Sequence, residues 1–305
     1  VELKRRGVPL EDAFDQLERY RRESFGAGGT RLYEYVQLFV ISNGTDTRYY
    51  PHPVRRGSRG QKGGGRGGFK FATHWADREN RVITDLLDFT KTFFAGRTLL
   101  SIIAQYCVFT VDEELLAMRP YQIAAAESIL GRIREAQRQN RAGTREAGGY
   151  IWHTTGSGKT LTSFKAATLL KDNPNIAKCL FVVDRKDLDK QTREEFNKFQ
   201  KDCVEENLNT GGLVRRMLSN GPTDKIIVTT IQKLGLALNE KGRHFDRRLR
   251  DLADQRIVFI FDECHRSQFG EYHRAIRDFF PRAQLFGFTG TPIFAENATR
   301  SKVEG

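Results

Sequence analysis

The spacing of apolar and polar positions changes period along the chain, and each change marks an element. Val1-Glu2-Leu3-Lys4 alternates, which predicts a strand with Glu2 and Lys4 on one face. Residues 10–20 carry helical spacing, so Gln16 and Tyr20, four apart, share a helix face. Residues 36–41 form a continuous apolar run of the kind a buried strand shows, closed by the turn signal Asn43-Gly44. Helical spacing returns over residues 84–94 and 99–108, where the two segments read as a bridge to the rest of the chain. Near Met118 the composition shifts, giving two expected domains, 1–117 and 118–305.

In the second part a long helix opens at Pro120, a residue suited to a first turn, with Ile123, Ile129 and Leu130 as its apolar stripe. Short apolar runs come next at 150–152, 179–184, 226–230, 256–261 and 285–288, separated by helical patterns at 159–170 and 187–199. Strands alternating with helices predict βαβ units: the α/β class, with a parallel sheet flanked by helices. Ligands of such sheets bind at the carboxyl ends of the strands.

The chemistry falls at those ends. His153-Thr-Thr-Gly-Ser-Gly-Lys-Thr160 leaves the apolar run Tyr150-Ile151-Trp152 and enters a helical pattern. A loop of small residues, Thr155, Gly156, Ser157 and Gly158, lets backbone N–H groups surround phosphate oxygens, with glycines where φ is unusual. Lys159 then reaches the β and γ phosphates, and the Thr160 hydroxyl holds Mg²⁺. His153 stands where the strict pattern has its first glycine, and the plain alternative is a glycine-rich turn between strand and helix. The most apolar run ends in Asp262-Glu263-Cys264-His265, where Asp262 would hold Mg²⁺ and Glu263 would polarise the attacking water. A pair of acids capping the next helix is the ordinary alternative. Thr289-Gly290-Thr291-Pro292 comes after the last run and is placed to sense the nucleotide and couple its state to a second lobe. Gln122, at the head of the long helix, could read an adenine edge with its amide or simply cap the helix.

At the N-terminus, a carboxylate and an ammonium on one strand face suit metal-dependent phosphodiester cleavage. Glu2 would hold Mg²⁺, and Lys4 would orient water and stabilise developing charge. An exposed salt bridge is the simpler reading of the pair, as a half-exposed helix face is of Gln16 and Tyr20.

Composition adds a partner class. With 50 Lys and Arg against 38 Asp and Glu, the chain carries +12 and a pI near 9.6, which favours a polyanion such as nucleic acid. The stretch 55–68, glycine with interspersed Arg and Lys, cannot bury a core and is expected to be flexible. The four cysteines have neither zinc nor disulfide spacing, which suits a reducing cytoplasm. No run approaches membrane-spanning length, and no signal peptide is present.

Together these motifs resemble a superfamily 2 helicase and, more narrowly, the motor subunit of type I restriction enzymes, the HsdR family. Arg-Pro-Tyr-Gln at 119–122, the loop at 153–160, Val-Val-Asp-Arg at 182–185, Thr-Thr-Ile-Gln at 229–232, Asp-Glu-Cys-His-Arg-Ser-Gln at 262–268 and Thr-Gly-Thr-Pro at 289–292 carry the resemblance. Glu2-x-Lys4 followed by Gln16-x-x-x-Tyr20 resembles the PD-(D/E)xK nuclease core of the same subunits, in which the Gln and Tyr support the site. The resemblance implies a RecA-like sheet preceded by a partial restriction-endonuclease-like α/β domain. It also implies ATP-driven translocation along double-stranded DNA without strand separation, and Mg²⁺-dependent cleavage when movement stalls. The subunit would be anchored to methylase (M) and specificity (S) subunits. Asp184, Arg185, Thr229, Thr230 and Gln232 would touch the DNA backbone, and a His at the head of the loop is ordinary in this family. The chain begins without Met and is expected to be part of a longer protein. The upstream metal-binding Asp and the second lobe with its arginine fingers would then lie elsewhere, so that this part alone binds ATP weakly and turns it over negligibly. A superfamily 2 DNA repair or RNA helicase with an accessory N-terminal domain remains open, as does a nucleic-acid-binding scaffold with a decayed ATPase.

Overall fold

A computed structural model of the chain describes residues 1–25, 36–52, 68–112, 114–154, 156–183, 190–199, 210–238, 249–262, 264 and 269–290. The fold divides into two compact units, Val1–Ala124 and Ala125–Gly305. The glycine- and arginine-rich stretch lies outside the described residues except at its end.

The first unit opens with β1 (Glu2–Leu3), α1 (Leu10–Phe25), β2 (Leu38–Ser42) and β3 (Thr47–Pro51). β2 is the middle strand, parallel to β1 and antiparallel to β3. The turn between β2 and β3 is built by Asn43, whose Oδ1 accepts from the Asp46 and Thr45 amides at 2.8 and 3.1 Å, with Gly44 at φ +89°. Leu10, Ala13 and Phe14 recur at the i, i+3, i+4 spacing of one helix stripe and bury against Phe39, Ile41 and Tyr50. That packing fixes which face of α1 is turned from the sheet.

Next come β4 (Trp75–Ala76), β5 (Val82–Ile83), α2 (Leu86–Phe93), α3 (Gly96–Gln105), β6 (Cys107–Phe109) and β7 (Leu115–Ala117). Asp85 starts α2 by accepting from the Leu87 and Asp88 amides. The helix expected over 99–108 stops at Gln105, because Cys107–Phe109 pairs antiparallel with Leu115–Ala117. A short apolar run satisfies both periods, and the strand partner decides between them. α4 (Pro120–Arg138) then crosses into the second unit.

There β8 (Gly149–Trp152), α5 (Lys159–Lys171), β9 (Lys178–Val183), α6 (Lys190–Phe199), α7 (Thr210–Leu218) and β10 (Ile226–Thr230) precede α8 (Ile231–Leu238), α9 (Arg250–Ala253), β11 (Ile257–Phe261), α10 (Phe269–Phe279) and β12 (Gln284–Thr289). The strands form one five-stranded sheet, β10-β9-β11-β12-β8, parallel at every pairing. β9, β10 and β11 are buried throughout, as their unbroken apolar runs require. Leu180, Val182, Phe259 and Phe261 point to one face, where residues of α7, α8 and α10 complete the core. Phe181 points to the other face and meets Phe196 of α6 at 4.6 Å. The expected α/β architecture, a parallel sheet flanked by helices, is therefore present. Gly235 lets α8 approach α10, since a Cβ there would lie 2.3 Å from the Tyr272 ring.

One charged group is built into this core. The Lys178 ammonium donates to the carbonyl oxygens of Arg216 and Asp224 at 3.0 and 2.9 Å, and to that of Ser219. Burial lowers its pKa from the ordinary lysine value. The ammonium thereby joins the start of β9 to the end of α7. Among the described residues no helix is long and apolar enough to cross a membrane.

Candidate functional site

Two groups of side chains carry chemistry, one in each unit. In the first, β1 sets Glu2 and Lys4 on the same face, and the Lys4 ammonium lies 3.2 Å from Glu2 Oε1. The same ammonium donates to Gln16 Oε1, and Gln16 Nε2 donates to the Tyr20 hydroxyl. Glu2, Lys4, Gln16 and Tyr20 thus form one continuous hydrogen-bonded line from strand to helix. Its parts have different exposures: the Lys4 and Glu2 side chains are 21% and 17% exposed, whereas Tyr20 is 42% exposed. An ammonium held between a carboxylate and an amide oxygen is fixed in place, which is what charge stabilisation beside a scissile phosphate requires. Among the described residues no three of His, Cys, Asp and Glu come together as a metal centre. Glu2 is the carboxylate of this group, and it would be the residue to hold a divalent cation beside the Lys4 ammonium.

The second group gathers at the carboxyl ends of the parallel strands. Four hydrogen bonds draw it together. The His153 amide donates to Thr289 O at 2.9 Å, the Trp152 indole to Gly290 O at 3.1 Å, the Asp262 amide to Val182 O at 3.0 Å, and the Cys264 amide to Phe288 O at 3.1 Å. The loop after β8, the acid after β11 and the turn after β12 therefore meet. Within the loop, Ser157 donates through its amide and hydroxyl to Thr154 O, at 3.2 and 2.7 Å. Gly156 and Gly158 adopt φ +77° and +79°, a conformation open to glycine at little cost. Gly158 is the N-cap of α5 and brings no capping side chain, leaving a helix N-terminus that suits a phosphate.

Lys159 and Asp262 face one another, Nζ to Oδ1 at 3.9 Å, with side chains 10% and 19% exposed. Thr160 donates its hydroxyl to Glu195 Oε2 of α6 at 3.1 Å. The donor set, a cradle of positive-φ glycines, an ammonium, a hydroxyl and a carboxylate, fits a nucleotide phosphate with a divalent cation that keeps most of its own water. Glu195 escaped the reading of the sequence. Nothing in the helical spacing of α6 sets it apart, and the packing of Phe196 on Phe181 and of Phe199 on Phe164 holds α6 against α5.

Other expected residues have quieter surroundings. Gln122 is buried and accepts the Arg119 amide on its Oε1 at 2.9 Å, a helix-capping contact. Thr229 and Thr230 end β10 as buried residues, and the Thr230 hydroxyl accepts the Lys233 amide at 3.3 Å, starting α8. Gln232 lies in the first turn of α8. Thr155, Asp184, Arg185, Glu263 and Thr291 lie outside the described residues.

Comparison with known proteins adds the lineage of both units. The family model of SWI2/SNF2 ATPases matches residues 121–305, and that of the type I restriction enzyme R protein N terminus matches residues 1–57. The chain is 43% identical over 304 residues to the type I restriction enzyme SsaAORF53P endonuclease subunit of Staphylococcus saprophyticus. That match covers 98% of this chain and 29% of the relative. A Mycoplasma pneumoniae protein, provisionally named as the C-terminal part of the type I restriction enzyme MpnIIP endonuclease subunit, is 46% identical over 207 residues. There the match covers 68% of this chain and 99% of the relative. Among solved structures, the UvsW helicase from bacteriophage T4 is 12% identical with a TM-score of 0.42, over 84% of this chain and 93% of that one.

Proposed function

This chain belongs to the type I restriction enzyme endonuclease subunits and, over residues 121–305, to the SWI2/SNF2 ATPase family; from that premise we propose that it serves a longer subunit as first motor lobe and part of the DNA-cleavage centre. The chain spans 29% of the length of its Staphylococcus relative, so the activity is that of the whole subunit. The observation that carries the reading is the meeting of Lys159, Thr160 and Asp262 at the carboxyl ends of a parallel sheet, in one chain with the Glu2, Lys4, Gln16 and Tyr20 line.

The nucleotide is proposed to be ATP and the cation Mg²⁺: ATP would supply the phosphoanhydride bond whose hydrolysis releases the energy for movement, and the cation would shield the phosphate charge. Thr155, Gly156, Ser157 and Gly158 wrap the phosphates, and Lys159 neutralises their charge. Thr160 and Asp262 would hold the cation through hydroxyl and carboxylate, and Glu263 would orient the attacking water. Thr289, Gly290 and Thr291 transmit the state of the site to a second lobe. Asp184, Arg185, Thr229, Thr230 and Gln232 are the residues proposed to touch the DNA backbone, contacts that position without reading sequence. Recognition of the DNA site belongs to partner methylase and specificity subunits. Domain limits at 1–117 and 118–305 assign cleavage to the first part and the motor to the second.

Movement without unwinding gives a direct test on the assembled full-length complex. ATP-dependent displacement of a third strand bound to duplex DNA is expected, with no release of single strands from a nicked duplex. Strand release at the rate of third-strand displacement contradicts the proposal.

A further inference from the structure

Four hydroxyls lie along α5, and three of them return to their own helix. Thr162 donates to Gly158 O at 3.0 Å, Ser163 to Lys159 O at 2.8 Å, and Thr168 to Lys165 O at 2.9 Å. Thr160 instead reaches across to α6, where Glu195 Oε2 accepts at 3.1 Å. An ionised carboxylate can only accept, so the hydroxyl proton lies toward Glu195 and the oxygen lone pairs face away from it. α6 is held for this contact from two sides. Phe196, next in sequence to Glu195, is 1% exposed and packs on Phe181 of β9, and Phe199 stacks on Phe164 of α5 at 5.3 Å.

We infer that Glu195 is a positioning residue for the cation of the nucleotide site, orienting the Thr160 hydroxyl so that its oxygen is presented to the metal. The inference rests on reading the loop as an ATP site. A carboxylate hydrogen-bonded to a metal-binding group fixes its direction and raises its basicity, so its loss weakens the metal more than the nucleotide. Glu195 also ties the site to α6, the helix that comes after the expected DNA-contacting residues Asp184 and Arg185. An altered position of α6 would therefore change the metal affinity of the loop.

The test uses the full-length subunit and equilibrium binding of a fluorescent adenosine nucleotide, titrated with Mg²⁺ or measured in EDTA, with Mn²⁺ binding monitored by electron paramagnetic resonance. In Glu195→Ala the metal concentration for half-maximal tightening of nucleotide rises about 10- to 100-fold. Binding in EDTA stays at the wild-type level, and kcat recovers at saturating metal. Glu195→Gln keeps an acceptor oxygen and falls between the two. A Glu195→Ala titration that overlays wild type overturns the inference and leaves the ATP site standing. Equal weakening in EDTA and in Mg²⁺ also overturns it, by showing a role in folding the loop. Wild-type subunit that shows no metal-dependent nucleotide binding overturns both readings.

Discussion

Replacing Lys159 by Ala in the full-length subunit is expected to lower DNA-stimulated ATP hydrolysis on the order of 10²- to 10³-fold, as loss of a preorganised charge-stabilising donor does. The Lys159 ammonium is held 3.9 Å from Asp262 in a site where both side chains are largely shielded from water. Its charge therefore acts on a phosphate through few water dipoles, and no reorganisation precedes its action. Lys159→Arg is not expected to restore the rate, because a planar guanidinium does not occupy the place of a compact ammonium. Inorganic phosphate release in the presence of DNA measures the effect, and a loss below about 10-fold contradicts the role given to this residue.

The largest structural effect is expected at Phe259. It lies in β11, between β9 and β12, is 0% exposed, and meets Phe261 and Phe280 at ring distances of 6.2 and 5.6 Å. Phe259→Ala removes a ring that the sheet cannot collapse around, a change that costs about 3–5 kcal/mol. Because the subunit is large, the readout is local: amide hydrogen exchange in β9, β11 and β12 should show opening eased by that amount. Exchange there at the wild-type rate contradicts the placement of Phe259 at the centre of the core. Asp262 comes directly after β11, so the same variant should also weaken nucleotide binding.

The sequence was most legible where a single period ran long enough. β9, β10 and β11 read as unbroken apolar runs because both their faces are covered, and the loop after β8 read from its glycines followed by Lys159 and Thr160 between an apolar run and a helical pattern. Glu2 with Lys4, and Gln16 with Tyr20, read from periods of two and four. That Gln16 joins the two pairs depends on α1 burying Leu10, Ala13 and Phe14 against the sheet, which leaves Gln16 on the flank of the helix within reach of Lys4. Strand order was not legible, since it depends on which strands each helix crosses. α7, α8 and α10 were missed. α8 begins directly after β10 with no intervening turn, and Thr230 serves both elements. β6 read as helix because three residues cannot show a period. Glu195 was invisible because its role comes from packing in a neighbouring helix.

The central claim is that one chain carries parts of two separate machines, a motor at Lys159 and a cleavage centre at Glu2. The most direct measurement is a side-by-side assay of ATP hydrolysis and DNA cleavage by the assembled complex bearing Glu2→Ala. Cleavage should disappear while DNA-stimulated ATP hydrolysis continues at the wild-type rate. Cleavage that persists in Glu2→Ala, or hydrolysis lost along with it, contradicts the account.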